Sequence, residues 1–334
     1  MTIETVLVAD IGGTNTTFAF VQNVKEKYSL VHTIHFDSKK IINFTMTTAE
    51  VLRLGKLKGY QPRNACFAPA GRVSETYDFS SPTKLTFTID AAEIKKKTEL
   101  SSVLVINDFT AVAYGVEVIP DKIIVQLKPG KIINTKPKAI LGAGTGLGKA
   151  LLIWNNKSNQ YFPVASEGGH SDAALQTTEE YEMGEFIKRK YARERVVWED
   201  VLSGQGISNI YQFFETRLPS NPEIKKSNYN PALISKSSDA ASKAAMDLFI
   251  RFYARCAQNL ALDTMAFGGV YLAGGITAKN LALFKRKAFI DEFILNHRMK
   301  KVLEQIPVFA VTDYNVSLYG AAHALTLHLR GEFP

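Results

Sequence analysis

The chain has 334 residues, 46% hydrophobic and 22% charged, the balance of a globular protein and not of a disordered or fibrous one. Lys and Arg (40) outnumber Asp and Glu (32), leaving a net charge of +8 that points to an anionic partner. Two distant cysteines, Cys66 and Cys256, and six histidines without ligand spacing exclude a disulfide scaffold and a zinc knuckle, and no apolar run approaches the roughly 18 residues of a membrane span. A reducing, cytoplasmic setting is expected, because the N-terminal run Val6 to Ala9 lacks the basic start and long apolar stretch of a signal peptide.

The first pattern runs Thr5 to Asp10, then Ile11-Gly12-Gly13-Thr14-Asn15, then Thr16 to Val21, and predicts a strand, a glycine turn and a second strand. Cys66 to Gly71 and Val103 to Ile106 read as buried strands, and Asp90 as the cap of a short helix ending at Lys97. The hairpin unit then recurs: Lys138 to Leu141 leads through Gly142 to Gly148 into Ala150 to Trp154, so two related α/β halves are expected. Helices are predicted over 178–191, 206–214 and 239–261, where Ala244, Leu248, Phe252 and Cys256 recur every four residues. The proline-bearing stretch 218–231 is expected to be a surface loop, and 318–329 a last helix.

A Gly-Gly-Thr-Asn turn is either a simple reversal or a cluster of backbone N–H donors suited to phosphate. Asp10 favours the second reading, since an acid beside an anion-binding turn suits a Mg²⁺ held between carboxylate and phosphate. In the second loop, Gly144, Thr145 and Gly146 fit neither the dinucleotide fingerprint nor a Walker A loop, which leaves a plausible second phosphate cradle. The third glycine site, Gly268 to Ile276, ends a strand in a flat Gly274-Gly275 step, open either to a planar ring or to close packing.

Asn107 and Asp108 leave the carboxyl end of a buried strand, where α/β sheets bind ligands. Asp108 reads as a general base for phosphoryl transfer to a hydroxyl, as a helix N-cap, or as both. The turn Ser166-Glu167-Gly168-Gly169-His170 joins an acid and an imidazole. With Glu199, the set Asn107, Asp108, Glu167 and His170 suits a polyhydroxylated ligand, although a lone histidine such as His170 is more often a structural hydrogen-bonder than a functional one.

Taken in order, residues 9–15, 106–112, 142–148, 167–170, 201–204 and 268–276 resemble the motif set of the bacterial-type glucokinase family, within the sugar kinase, heat-shock chaperone and actin superfamily. The resemblance implies two ribonuclease H-like α/β domains, the actin-like ATPase or hexokinase fold, flanking a deep active-site cleft. The small domain would comprise 1–108 with 315–334 and the large one 109–314. It implies ATP-dependent phosphorylation of glucose, with Asp108 as base on the 6-hydroxyl and Asn107, Glu167, His170 and Glu199 on the ring. Gly12, Gly13, Thr14, Asn15, Gly144, Thr145 and Gly146 would hold the ATP phosphates, Gly274 and Gly275 would lie near the nucleoside, and Asp10 would place Mg²⁺ through water. A homodimer is expected by analogy with relatives.

Three positions depart from the family pattern. Pro82 and Leu85 stand where a Thr-Asn-x-x-Trp element has Asn and Trp, Asn315-Val316-Ser317 replaces Asn-Pro-Gly, and Ser203-Gly204-Gln205-Gly206 replaces Ser-Gly-Pro-Gly. The first lies on the sugar-facing side, so another hexose or an amino sugar is the alternative substrate. A sugar-responsive repressor would need a helix-turn-helix ahead of a hairpin that begins within the first ten residues. The lysine runs, 95–97 and those in 122–138, lack interleaved aromatics, so no nucleic-acid partner is expected.

Overall fold

The computed structural model describes residues 4–82 and 85–333. They form two compact units, one made of the chain up to Ile123, Asn155–Ala165 and the segment from Asn315, the other of Ile124–Trp154 and Ser166–Tyr314. No helix among the described residues is long and apolar enough to cross a membrane.

In the first unit, β1 (Glu4–Ile11) pairs antiparallel with β2 (Asn15–Val24), which pairs antiparallel with β3 (Lys27–Asp37). On its other side β1 pairs in parallel with β4 (Asn64–Pro69). The two-residue strands β5 (Phe79–Ser80) and β6 (Ile89–Asp90) form a separate ribbon, and β7 (Ser102–Val105) extends the main sheet in parallel beyond β4. Both faces of β1 are buried, which is why Val6 to Ala9 reads as an unbroken apolar run. Val6 and Val8 belong to one core, with Ala111, Tyr114 and Leu325. Leu7, Ala9 and Ile11 belong to the other, with Phe44, Val51 and Ile94.

The helices that supply these faces start where the side chains dictate. Asn43 caps α1 (Phe44–Lys56), and Asp90 caps α2 (Ala91–Lys97) as the sequence predicts. The helix α3 (Asp108–Val118) lies against the C-terminal helix (Val316–Leu329) at small residues: a Cβ on Gly320 would fall 1.8 Å from the Ala111 carbonyl oxygen. That contact keeps α3 in the first unit, although the sequence reading set the domain boundary at residue 108.

The second unit repeats the ladder. After β8 (Ile124–Lys128), strand β9 (Lys138–Ala143) pairs antiparallel with β10 (Leu147–Asn155), and β11 is Gln160–Ser166. On its other side β9 pairs in parallel with β12 (Gly269–Ala273), itself parallel to β13 (Val308–Val311). The orders β2-β1-β4-β7 and β10-β9-β12-β13 are the recurrence that the two glycine hairpins announce.

The helices here are α4 (Thr178–Tyr191), α5 (Trp198–Val201), α6 (Gly204–Glu215) and α9 (Ala240–Thr264). Of the four residues that recur along α9, Leu248, Phe252 and Cys256 are buried. The stretch 218–231 is not the loop expected: Pro222 and Pro231 begin the short helices α7 (Pro222–Lys226) and α8 (Pro231–Ile234), capped by Asn221 and Asn230. Proline fits the first helical position because its missing N–H is one the helix leaves unbonded there.

Candidate active site

Asp10 sits near the end of β1, and the turn after it is closed by Gly12 N–H donating to the Asn15 carbonyl at 2.9 Å. A residue the motifs did not single out fixes this turn. The Ser38 hydroxyl donates to the Gly12 carbonyl at 2.7 Å, and the Ser38 N–H donates to the Thr14 carbonyl at 2.9 Å. Two carbonyl oxygens that would repel a phosphate are thereby engaged, while Thr14 and Asn15 stay exposed.

The Asp10 Oδ2 accepts from the Ser317 hydroxyl at 2.5 Å. Burial pushes the Asp10 carboxyl above its ordinary range, and the Ser317 bond opposes that rise.

Asn107 and not Asp108 is the cap of α3: its Oδ1 accepts from Phe109 N–H at 2.9 Å and Thr110 N–H at 3.1 Å. Its Nδ2 donates to the Gly71 carbonyl and to Asp108 Oδ1. The cap reading of Asp108 is therefore corrected. With the N-cap duty on its neighbour, Asp108 opens the helix, and its Oδ1 also accepts from Phe109 N–H at 2.9 Å. Burial first, and the charge of Asp10 second, push the Asp108 carboxyl up to about 7. Pro82 lies beside this assembly, since a Cβ on Gly71 would be 3.4 Å from the Pro82 Cα.

In the second unit, Gly144 N–H donates to the Gly146 carbonyl at 2.8 Å, and Gly204 N–H to the Gly144 carbonyl at 2.9 Å. The Glu199 carboxylate braces the same loop: Oε2 accepts from Leu147 N–H at 2.9 Å, and a Cβ on Gly146 would lie 2.6 Å from that oxygen. Thr145 is exposed at the tip. Glu167 and His170, both exposed, flank a single turn closed by His170 N–H on the Glu167 carbonyl at 2.9 Å. Gly169 must be glycine there, because a Cβ would fall 2.2 Å from the Leu147 carbonyl oxygen. Leu147 is thus the meeting point of Glu199, the second glycine loop and the Glu167–His170 turn.

The flat Gly-Gly step expected after β12 is instead the start of a helix, α10 (Gly274–Lys279). Gly274 has φ +88°, and a Cβ there would lie 2.7 Å from the Ala143 carbonyl oxygen. The buried Tyr253 hydroxyl ties this end to β9, accepting from Ala143 N–H and bonding the Thr277 hydroxyl, each at 3.2 Å.

Among the described residues no three His, Cys, Asp or Glu side chains gather to hold a metal. One carboxylate, Asp10, beside a phosphate-type turn matches the demands of Mg²⁺, which keeps several waters and takes its remaining oxygens from phosphate.

Two units built on one repeated ladder, each with a glycine hairpin on its leading strand, define the actin-like ATPase fold in its sugar-kinase form. A model of the glucokinase family matches residues 7–328, and the chain belongs to that family. It is 34% identical over 337 residues to a glucokinase of Nostoc punctiforme, covering 95% of this chain and 97% of that one. A crystal structure of glucokinase from an Antarctic psychrotroph superposes with a TM-score of 0.79 at 25% identity, covering 97% of this chain and 99% of the other. A ROK-family glucokinase of Streptomyces griseus, solved with glucose and AMPPNP, shares the fold at a TM-score of 0.67 and 17% identity over 97% and 99% of the two chains.

Proposed function

We propose that the protein transfers the γ-phosphoryl group of ATP to the 6-hydroxyl of D-glucose, giving glucose 6-phosphate and ADP. The observation that carries this reading is the state of Asp108. It stands past the carboxyl end of β7, oriented by Asn107 and Phe109 N–H, with its carboxyl raised to about 7. A base poised there is ionised often enough to act and basic enough to take a proton. As the 6-oxygen attacks phosphorus, Asp108 accepts the hydroxyl proton and ADP leaves with the electrons of the broken P–O bond.

Glu167, His170, Glu199 and Asn107 are assigned to the sugar hydroxyls. Asn107 already spends its amide on Gly71, Asp108 and the cap of α3, so it acts chiefly by fixing Asp108. The loop at Gly12, Gly13, Thr14 and Asn15 and the loop at Gly144, Thr145 and Gly146 are assigned to the phosphates, and Gly274 and Gly275 to the nucleoside. Bound Mg²⁺ would neutralise phosphate charge, with Asp10 holding it through water. The complex of the Streptomyces griseus relative with AMPPNP supports ATP as donor. A cytoplasmic homodimer without nucleic-acid partners completes the reading.

The test is a coupled ADP-release assay with ATP and Mg²⁺ across a panel of hexoses, with glucose expected to give the highest kcat/KM. Pro82, packed near Gly71, favours one second reading, a kinase for another hexose or an amino sugar. A higher kcat/KM for mannose, fructose or glucosamine selects it. Release of ADP at the same rate without sugar defeats both.

A further inference from the structure

We propose that Ser317 is a positioning residue for the Mg²⁺-bearing carboxylate. The proposal rests on the reading that Asp10 holds Mg²⁺ through water. Ser317 is 2% exposed and occupies the second position of the C-terminal helix, whereas Asp10 lies on β1, 307 residues earlier. Their bond is charge-assisted, with a neutral hydroxyl donating to a carboxylate oxygen at 2.5 Å, the short end of the range for such pairs. It engages one carboxylate oxygen, Oδ2, and so restricts rotation of the group that must present its other oxygen to a hydrated cation.

The surroundings support the assignment. The carboxylate lies at the first turn of a helix, where the backbone dipole favours negative charge. Asp10 also carries a like-charged neighbour, Asp108, whose own carboxyl it pushes up. Two partly buried carboxylates in one electrostatic environment need fixed donors to keep each in its place. Asn107 and Phe109 N–H serve Asp108, and Ser317 serves Asp10. Glycine or alanine at 317 would leave Asp10 without this donor.

The experiment measures the affinity of AMPPNP by isothermal titration calorimetry, once with Mg²⁺ and once with EDTA, for the wild type, Ser317→Ala, Ser317→Cys and Asp10→Asn. The ratio of the two affinities is the gain due to the metal. Loss of an outer partner to a metal ligand typically weakens metal affinity about tenfold or more, so Ser317→Ala should cut the gain by about that factor. Affinity in EDTA and the KM for glucose should stay as in the wild type. Ser317→Cys fills nearly the same space with a poor donor, so it should lose the gain as Ala does, and it serves if Ala loosens the helix. A Cys variant with the full gain means that Ser317 only packs, which overturns the proposal. If Asp10→Asn loses the gain while a folded Ser317→Ala keeps it, the Ser317 role alone is overturned. If Asp10→Asn keeps it, the Mg²⁺ reading falls and the proposal falls with it.

Discussion

Asp108→Asn separates chemistry from stability, because the group proposed as base is one the fold holds at a cost. Folding raises this carboxyl from 3.8 to about 7, so between those values the folded chain keeps a proton that the unfolded chain has released. Stability due to this group is therefore complete below about pH 4 and declines as pH rises through 7. The whole rise corresponds to roughly 4 kcal/mol at about 1.4 kcal/mol per pH unit. From pH 5 to pH 8 the wild type gives up roughly 2–3 kcal/mol of it. The amide does not titrate, and its oxygen still accepts from Phe109 N–H. The variant should therefore gain on the wild type as pH rises: its Tm difference should grow by about 4 °C between pH 5 and 8 if all 334 residues melt together, and by about twice that if the first unit melts alone. Turnover should fall by about 10²–10⁴ through loss of the base, and wild-type kcat/KM should climb with pH to half its maximum near 7. Scanning calorimetry at the two pH values and the coupled assay measure both. An equal Tm difference at pH 5 and 8 refutes the raised carboxyl, and near-normal turnover refutes its role as base.

Glu199→Ala removes the acceptor of Leu147 N–H and the brace beside Gly146. It should raise the KM for ATP together with that for glucose; a rise in the glucose KM alone means that the carboxylate does not support the second glycine loop in its proposed phosphate role. Gly320→Ala drives a methyl against the Ala111 carbonyl and Gly115 N–H, backbone atoms that move only with the helix. The cost should reach about 3 kcal/mol, the upper part of the usual overpacking range, with reduced turnover because α3 carries Asp108. Chemical denaturation reads the first effect, and an unchanged midpoint shows that the two helices separate freely.

What the sequence shows and what it conceals divide by range. Both glycine hairpins, the strand leading to Asn107 and the cap at Asp90 are local patterns, written in neighbouring residues, and the structure has them. The prolines of 218–231 are ambiguous in sequence because proline both ends and begins helices, and only the Asn before each one tells which. Ser38 carries no pattern of its own, and Ser317 shows in sequence only as a departure from Asn-Pro-Gly. Their meaning lies in partners 26 and 307 residues away, Gly12 and Asp10, and only the fold brings these together.

The pair Asn107-Asp108 illustrates the same boundary within one dipeptide. From sequence, Asp108 reads as both cap and base, two duties that compete, since a carboxylate committed to a helix N-terminus is stabilised as an anion and becomes a weaker base. The structure resolves the competition by giving the cap to the amide. Asp108 keeps one backbone donor and one side-chain donor, too few to offset its burial and the charge of Asp10. Its basicity is thus a consequence of which neighbour holds the helix. Asn107→Ala should accordingly act through Asp108: the cap passes to the carboxylate, the carboxyl falls, and the rise of kcat/KM with pH moves to lower pH. A profile that keeps its midpoint near 7 in a folded Asn107→Ala enzyme would show that the amide does not set the base.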